Sequence, residues 1–106
     1  MLGVEVVGME NIIYTDHLKL RLKIRKIPNE YPKLIYKEPD QIFYDVYEDN
    51  LIAVKKLKYN NKLRNMMIAY EKEGDNVDII TIHPITGERI KNRLLNKRWV
   101  KNEEAV

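Results

Sequence analysis

Residues 77–85, Val-Asp-Ile-Ile-Thr-Ile-His-Pro-Ile, read as a short buried strand rich in β-branched residues and stopped by Pro84. The strand ends by presenting Thr81 and His83, and the chain holds only 2 histidines. So apolar a run belongs at the centre of a small antiparallel sheet or one strand from its edge.

Upstream of it, Gly74-Asp75 is a turn and Leu63–Lys72 a strand. Asn60-Asn61 is the kind of pair a two-residue type I′ hairpin favours, and Leu51–Tyr59 is the strand before it. Glu48, Asp49 and Asn50 make the preceding turn, and Ile42–Tyr47 opens the meander. Before Pro39-Asp40 the periodicity changes. Thr15 and Asp16 supply an N-cap for a helix that runs to Lys26 and is ended by Pro28. Asn29 can cap a second helix with Pro32 in its first turn, Tyr31, Leu34 and Ile35 as its buried stripe and Glu38 near its end. The expected class is therefore α+β, an N-terminal helical hairpin packed on a four-stranded antiparallel meander sheet. Residues 1–10, including Val4–Val7, are a lead-in or an edge strand. Residues 86–106 form a basic tail, either a short helix or extended.

A chain of 106 residues has material for one core and one domain. Lys plus Arg number 19 against 16 Asp plus Glu, so the net charge of +3 says little about partners and the placement of charge says more. With no cysteine, a disulfide framework, a thiolate metal site and a cysteine nucleophile are all excluded. No basic region precedes a long apolar run, and no stretch approaches the ~18 apolar residues of a membrane span. A soluble, cytoplasmic protein with no membrane partner is expected. His17 and His83 lack metal-ligand spacing, and no Gly-rich phosphate loop, dinucleotide fingerprint or nucleophile elbow is present, so no metal or cofactor is expected.

Charge placement is more informative on the first helix. Lys19, Lys23 and Lys26 share one side, whereas His17, Arg21 and Arg25 lie roughly opposite, towards whatever the helix packs on. In the sheet, two-residue turns at Asn60-Asn61 and Gly74-Asp75 would oppose Lys55 to Met66, Leu57 to Arg64, Tyr70 to Ile79 and Met66 to His83. One face then holds Ile52, Val54, Met67, Ala69, Ile80 and Ile82, and the other holds Lys55, Arg64, Tyr70, Thr81 and His83. Lys55, Met66 and His83 form a row across three strands.

These residue types suit metal-free RNA cleavage, which needs a base for the 2′-hydroxyl, an acid for the leaving oxygen and cations for the developing phosphorane charge. His17 and His83 are the acid and base candidates. Arg21, Lys55 and Arg64 could hold phosphate, Tyr70 could stack on a base or donate a proton, and Trp99 beside Arg98 in the basic tail fits single-strand binding. Structural readings stand beside these: His83 bonded to backbone at a strand end, Arg21 and Arg25 bridging to Asp45 or Glu48, and Tyr70 in the core.

The pattern Tyr14-Thr15-Asp16-His17 with Arg21 and Arg25, then Glu38-Pro39-Asp40, Ala53-Val54-Lys55-Lys56, Arg64 to Tyr70-Glu71, Gly74-Asp75 and Ile79 to Pro84, resembles small prokaryotic domains grouped with the RelE and ParE toxins. These belong to the wider barnase, EndoU, colicin and RelE-like nuclease fold. The likeness covers residues 11–100 and carries His17, Arg21, Lys55, Thr81, His83 and Arg98-Trp99 as matching polar positions. Relatives commonly have glycine where Lys26 stands. The resemblance implies a metal-independent endoribonuclease of RelE-like type, the toxin of a toxin–antitoxin pair, acting on RNA and held by an antitoxin. Two other functions fit the same residues: a non-catalytic module that binds nucleic acid or protein, and a protein whose free strand edge pairs with an antitoxin or a second copy.

Overall fold

The computed structural model describes residues 10–102. Val4–Val7 therefore lies outside the described residues. Asn11–Tyr14 forms strand β1, Asp16–Arg25 helix α1 and Tyr31–Lys37 helix α2. Strands β2 (Gln41–Asp45), β3 (Asn50–Tyr59), β4 (Lys62–Glu73) and β5 (Asn76–Pro84) follow, then helix α3 (Gly87–Leu95) and strand β6 (Trp99–Lys101). The α+β class is as expected, but the sheet has six strands rather than four and is mixed. Its order is β1-β5-β4-β3-β2-β6, with β1 parallel to β5 and every other pair antiparallel. Short apolar segments at each end of the chain, Ile12–Tyr14 and Trp99–Lys101, complete the two edges. A third helix joins the hairpin, because Thr86 caps Gly87–Leu95 by accepting from Arg89 N at 3.1 Å. The basic tail is thus both helix and strand.

Local chemistry explains most boundaries. The Thr15 hydroxyl accepts from Leu18 N at 3.1 Å and starts α1. Lys26 ends it in the left-handed region at φ 55°, with Ile27 N bonded to Leu22 O at 3.0 Å, a Schellman closure. Asn29 does not cap α2. Glu30 takes the N-cap position without a side-chain bond, and the Asn29 carbonyl instead accepts from the Tyr14 hydroxyl at 2.7 Å. At the β3–β4 hairpin Asn60 (φ 53°) and Asn61 (φ 66°) both take positive φ, as a type I′ turn requires.

The two faces of the sheet bury different cores. Helices α1 and α2 cover one face, where Leu18, Leu22 and Ile35 pack on Ala53, Met66, Ile68, Val77, Ile79 and Ile82. Among the described residues the other face is covered by α3 alone: Ile90 packs with Phe43, Ile52, Val54, Met67, Ala69 and Trp99. We call these the helical face and the open face.

The β3–β4 register is Lys55 opposite Met66 and Leu57 opposite Arg64, as the turn residues imply. Between β4 and β5 it starts as expected, with Lys72 opposite Val77 and Tyr70 opposite Ile79, and then slips by one. Ala69 faces Thr81, Ile68 faces Ile82 and Met67 faces His83, which leaves Ile80 as a bulge. The expected row of Lys55, Met66 and His83 does not form. Thr81 and His83 pass to the open face, whereas Lys55, Arg64 and Tyr70 stay on the helical face. The cause sits at the end of β1. Successive carbonyls of a regular strand point to opposite sides, yet those of Ile79 and Ile80 lie 3.2 and 3.3 Å from the single hydroxyl of Thr15. The bulge lets both face the cap of α1, and it sends Ile79 and Ile82, each 0% exposed, into the same core.

Candidate functional site

On the open face, β5 presents His83 over a floor of Ile52, Met67 and Ala69, and the chain then turns at Ile85 into α3. A cavity of about 230 Å³ lies here, bounded by Thr81 and His83 on one side, Arg89 and Arg93 of α3 on another, and Glu48, Asn50 and Arg98 at the far end. Arg89 and Arg93 are one helical turn apart, so both reach the cavity from one side of α3. A second pair at the same spacing, Arg21 and Arg25, stands on α1 along the β5 edge.

His83 is half-buried, and its ring is oriented by backbone. Nδ1 lies 3.0 Å from the Pro84 carbonyl. A carbonyl can only accept, so Nδ1 carries the hydrogen and Nε2 keeps its lone pair. Burial pushes the imidazole pKa below its ordinary value; the Pro84 bond opposes this, and the charges of Arg25, Arg89 and Arg21 add to the lowering. His83 is therefore neutral at pH 7, a form that accepts a proton.

The guanidinium groups around it are poorly satisfied. Ion pairs among the described residues engage Lys55, Lys72 and Arg98, and none engages Arg21, Arg25, Arg89 or Arg93. The Nε atoms of Arg25 and Arg93 are buried without a hydrogen-bond partner, as is Oδ1 of Asn50. Native interiors rarely leave such atoms unpaired, since each costs ~1–3 kcal/mol. Arginines without a carboxylate partner among the described residues, set beside a neutral imidazole, suit an anion that brings its own acceptor oxygens.

Other candidates lie elsewhere. Lys55 is 3.9 Å from Asp40 on the helical face. Arg64 donates from Nε to Tyr59 O at 3.0 Å. Tyr70 is 3% exposed and meets Tyr36 edge-to-face, and burial pushes its hydroxyl up to about 12, so it sits in the core as a neutral phenol. His17 is exposed on α1, where its Nε2 accepts from Arg21 Nε at 3.3 Å; no hydrogen bond joins it to His83. Of the cations named from the sequence, Arg21 adds its charge at His83, and Arg98 lines the far end of the cavity, paired with Asp45 and Glu48.

Arg98 and Trp99 form the end wall. Asp45, 3% exposed, accepts from Arg98 Nε at 3.2 Å, Trp99 Nε1 at 3.0 Å, Tyr47 N at 2.9 Å and Glu48 N at 3.1 Å. Burial would raise the Asp45 carboxyl, and these bonds outweigh it and hold the group below the ordinary carboxylate range. Asp45 and Glu48 thus bridge to Arg98, not to Arg21 or Arg25. Trp99 is 2% exposed and stacked on Phe43 at 5.3 Å, where it has no face to offer a base.

Arg25, Arg89, Arg93 and Asn50 were not among the sequence-derived site residues. For the arginines a signal existed: Arg21/Arg25 and Arg89/Arg93 repeat one i, i+4 spacing, legible once residues 87–95 are assigned to a helix. Asn50 carried none, because it reads as one more turn residue. No family model, curated protein or solved structure matches the chain, and the chemistry of the cleft is what its own residues give it.

Proposed function

We propose that the protein is a metal-independent endoribonuclease of RelE-like type whose reaction takes place in the arginine-lined cleft of the open face. The observation that carries this reading is His83: its Nδ1 is tied to the Pro84 carbonyl, its Nε2 keeps its lone pair, and it stands beside arginines that no carboxylate among the described residues pairs with. Nε2 takes the proton of a 2′-hydroxyl, and the 2′-oxygen attacks the adjacent phosphorus. The bond to the 5′-oxygen breaks, leaving a 2′,3′-cyclic phosphate and a 5′-hydroxyl. The leaving oxygen takes its proton from water at the open mouth of the cleft, and His17, exposed on α1 and bonded to Arg21, falls outside it. Arg25, Arg89 and Arg93 hold the phosphate and the charge that grows on it. Lys55, Arg64 and Tyr70 fall outside this arrangement.

The toxin reading follows from the same activity: induced in cells, the wild-type chain would arrest growth and the His83→Ala variant would not. Binding without cleavage is the second reading. It is favoured by the lack of a free carboxylate near His83, since Asp45 and Glu48 are both engaged by Arg98. Purified protein incubated with RNA in EDTA separates the two. Cleavage that disappears in His83→Ala is the expected result; intact RNA with salt-sensitive binding would leave the binding module in its place.

A further inference from the structure

The charge of the β3–β4 ribbon is sorted by sign. Residues 50–70 hold Lys55, Lys56, Lys58, Lys62 and Arg64 and no acidic residue. At the opposite end of the sheet, residues 45–49 and 71–78 hold seven acidic residues and one lysine. A surface that needs only solubility intersperses the two signs, whereas a block of one sign sets up a field that draws in the other. The register places the cationic end next to His83. Strand β5 pairs with β4 as far as Met66, and the four pairs from Lys56–Asn65 to Tyr59–Lys62 run on past it as an arm. At ~3.4 Å per residue the arm is ~14 Å long. Three side chains brace it from the helical face: Tyr31 donates to Lys58 O, Tyr59 to Arg25 O, and Arg64 Nε to Tyr59 O. Lys56, Lys58 and Lys62 stay exposed, and no ion pair among the described residues engages them. A groove of about 450 Å³ runs beside them, and Ile85 lines both this groove and the cleft that holds His83.

We infer that this arm is the docking track for the sugar–phosphate backbone of an RNA strand whose scissile nucleotide lies at His83, with Lys56, Lys58 and Lys62 as the phosphate contacts. This deepens, and rests on, the ribonuclease reading of the cleft. The cleft takes the reacting phosphate, and the arm takes the phosphates that flank it. Ammonium groups meet phosphate as point charges and carry no base information, so the arm supplies affinity without sequence preference. Because the braces already order the arm, docking a strand costs little further backbone freedom. Continuity of the groove with the cleft favours a strand that enters both over an acidic protein, which would need the arm alone.

The test begins with oligonucleotides that cannot be cut. A 2′-O-methyl dinucleotide fills the cleft alone, and a 2′-O-methyl strand of about ten nucleotides, within the ~4–16 that a basic groove occupies, reaches the arm as well. The longer strand should bind roughly tenfold or more tighter than the dinucleotide. Lys56→Gln/Lys58→Gln/Lys62→Gln alters exposed side chains only and should remove that advantage. The slope of log K against log salt should fall by about 2 in this variant, at ~0.7 per phosphate contact on a single strand. Lys19→Gln/Lys23→Gln/Lys33→Gln takes the same charge from the exposed surface of α1 and α2 and should change binding less than about threefold. With RNA of the same length in EDTA, the arm variant should raise KM roughly tenfold and act little on kcat, the mark of lost uniform binding. Equal affinity of the wild type for the two lengths, an arm variant that keeps the full slope, or an equal loss from the α1–α2 variant overturns the docking track. Arm-dependent binding of the longer strand with RNA left intact overturns the ribonuclease reading and leaves the track standing.

Discussion

The two faces of the sheet carry similar residue types and handle them differently. On the helical face the polar groups are paired inside the protein: Tyr31 donates to Lys58 O and Tyr59 to Arg25 O, both at 2.7 Å, and Arg64 bonds the Tyr59 carbonyl. On the open face Arg93 and Asn50 line the cavity while Arg93 Nε and Asn50 Oδ1 lie buried without partners among the described residues, and Arg25 Nε on α1, whose charge acts on His83, is orphaned in the same way. A cation or a phenol is therefore a weak sign of function by itself. A buried donor or acceptor without a partner is a stronger one, because the folded chain bears its desolvation cost.

The sharpest way to break this contrast is to mutate both faces in one assay. His83→Ala should lower the initial rate of RNA cleavage in EDTA by ~10²–10⁴, the usual range for losing a general base. Lys55→Ala and Arg64→Ala should each change it less than about threefold, since neither reaches the cleft. A large loss in Lys55→Ala with full activity in His83→Ala would invert the assignment of the faces.

Asp45 tests what holds the end wall of the open face. Asp45→Ala removes the acceptor of four hydrogen bonds and should lower the unfolding free energy by ~3 kcal/mol in urea titration, the scale for breaking a buried ion pair. The Asp45 carboxyl is depressed in the folded state, so its contribution is complete above the unfolded carboxylate pKa of ~3.9 and is lost as pH falls through the folded value. Asp45→Asn should flatten the acid limb of the stability curve.

A smaller effect probes the arginines through His83. Its pKa is depressed, so the acid limb of kcat/KM should have its midpoint below the ordinary imidazole value of ~6.5, with the rate level at neutral pH. Arg25→Gln removes the largest opposing charge and should move that midpoint upward, whereas Arg64→Gln should leave it in place. A midpoint at or above ~6.5 in the wild type would remove His83 from the role of base.

The smallest test lies on the helical face, at the end of α1. Lys26 holds φ 55°, a conformation glycine adopts without steric cost. Lys26→Gly should stabilise the protein by ~1 kcal/mol and leave cleavage unchanged.

Much of this fold was legible in the sequence because its signals are local. Thr15 as N-cap, Asn60-Asn61 as a type I′ turn and the opposition of Leu57 to Arg64 each follow from neighbouring residues. The edge strands were harder: four residues in β1 and three in β6 are too few to show a period, and they are strands because a partner is waiting. Of the residues around the candidate cleft, His83 at the end of its strand and Arg21 on the first helix are legible in the sequence. Arg89 and Arg93 are hidden in a tail that the sequence alone does not assign to helix, and the burial of Trp99 depends on Phe43 and Asp45, distant in the chain.

By itself the sequence determined the α+β class, the hairpin turns, the first helix with its His17, Arg21 and Arg25 row, and the presence of a histidine at the end of β5. Only the tertiary structure decided which face that histidine serves. In Ile79-Ile80-Thr81-Ile82 three isoleucines surround one threonine, so alternation cannot show where the strand breaks step. The Thr15 hydroxyl, 64 residues from Ile79 along the chain, gathers two successive carbonyls and forces one residue out of register. A side-chain period of two makes that single step move Thr81 and His83 from the helices to the arginines.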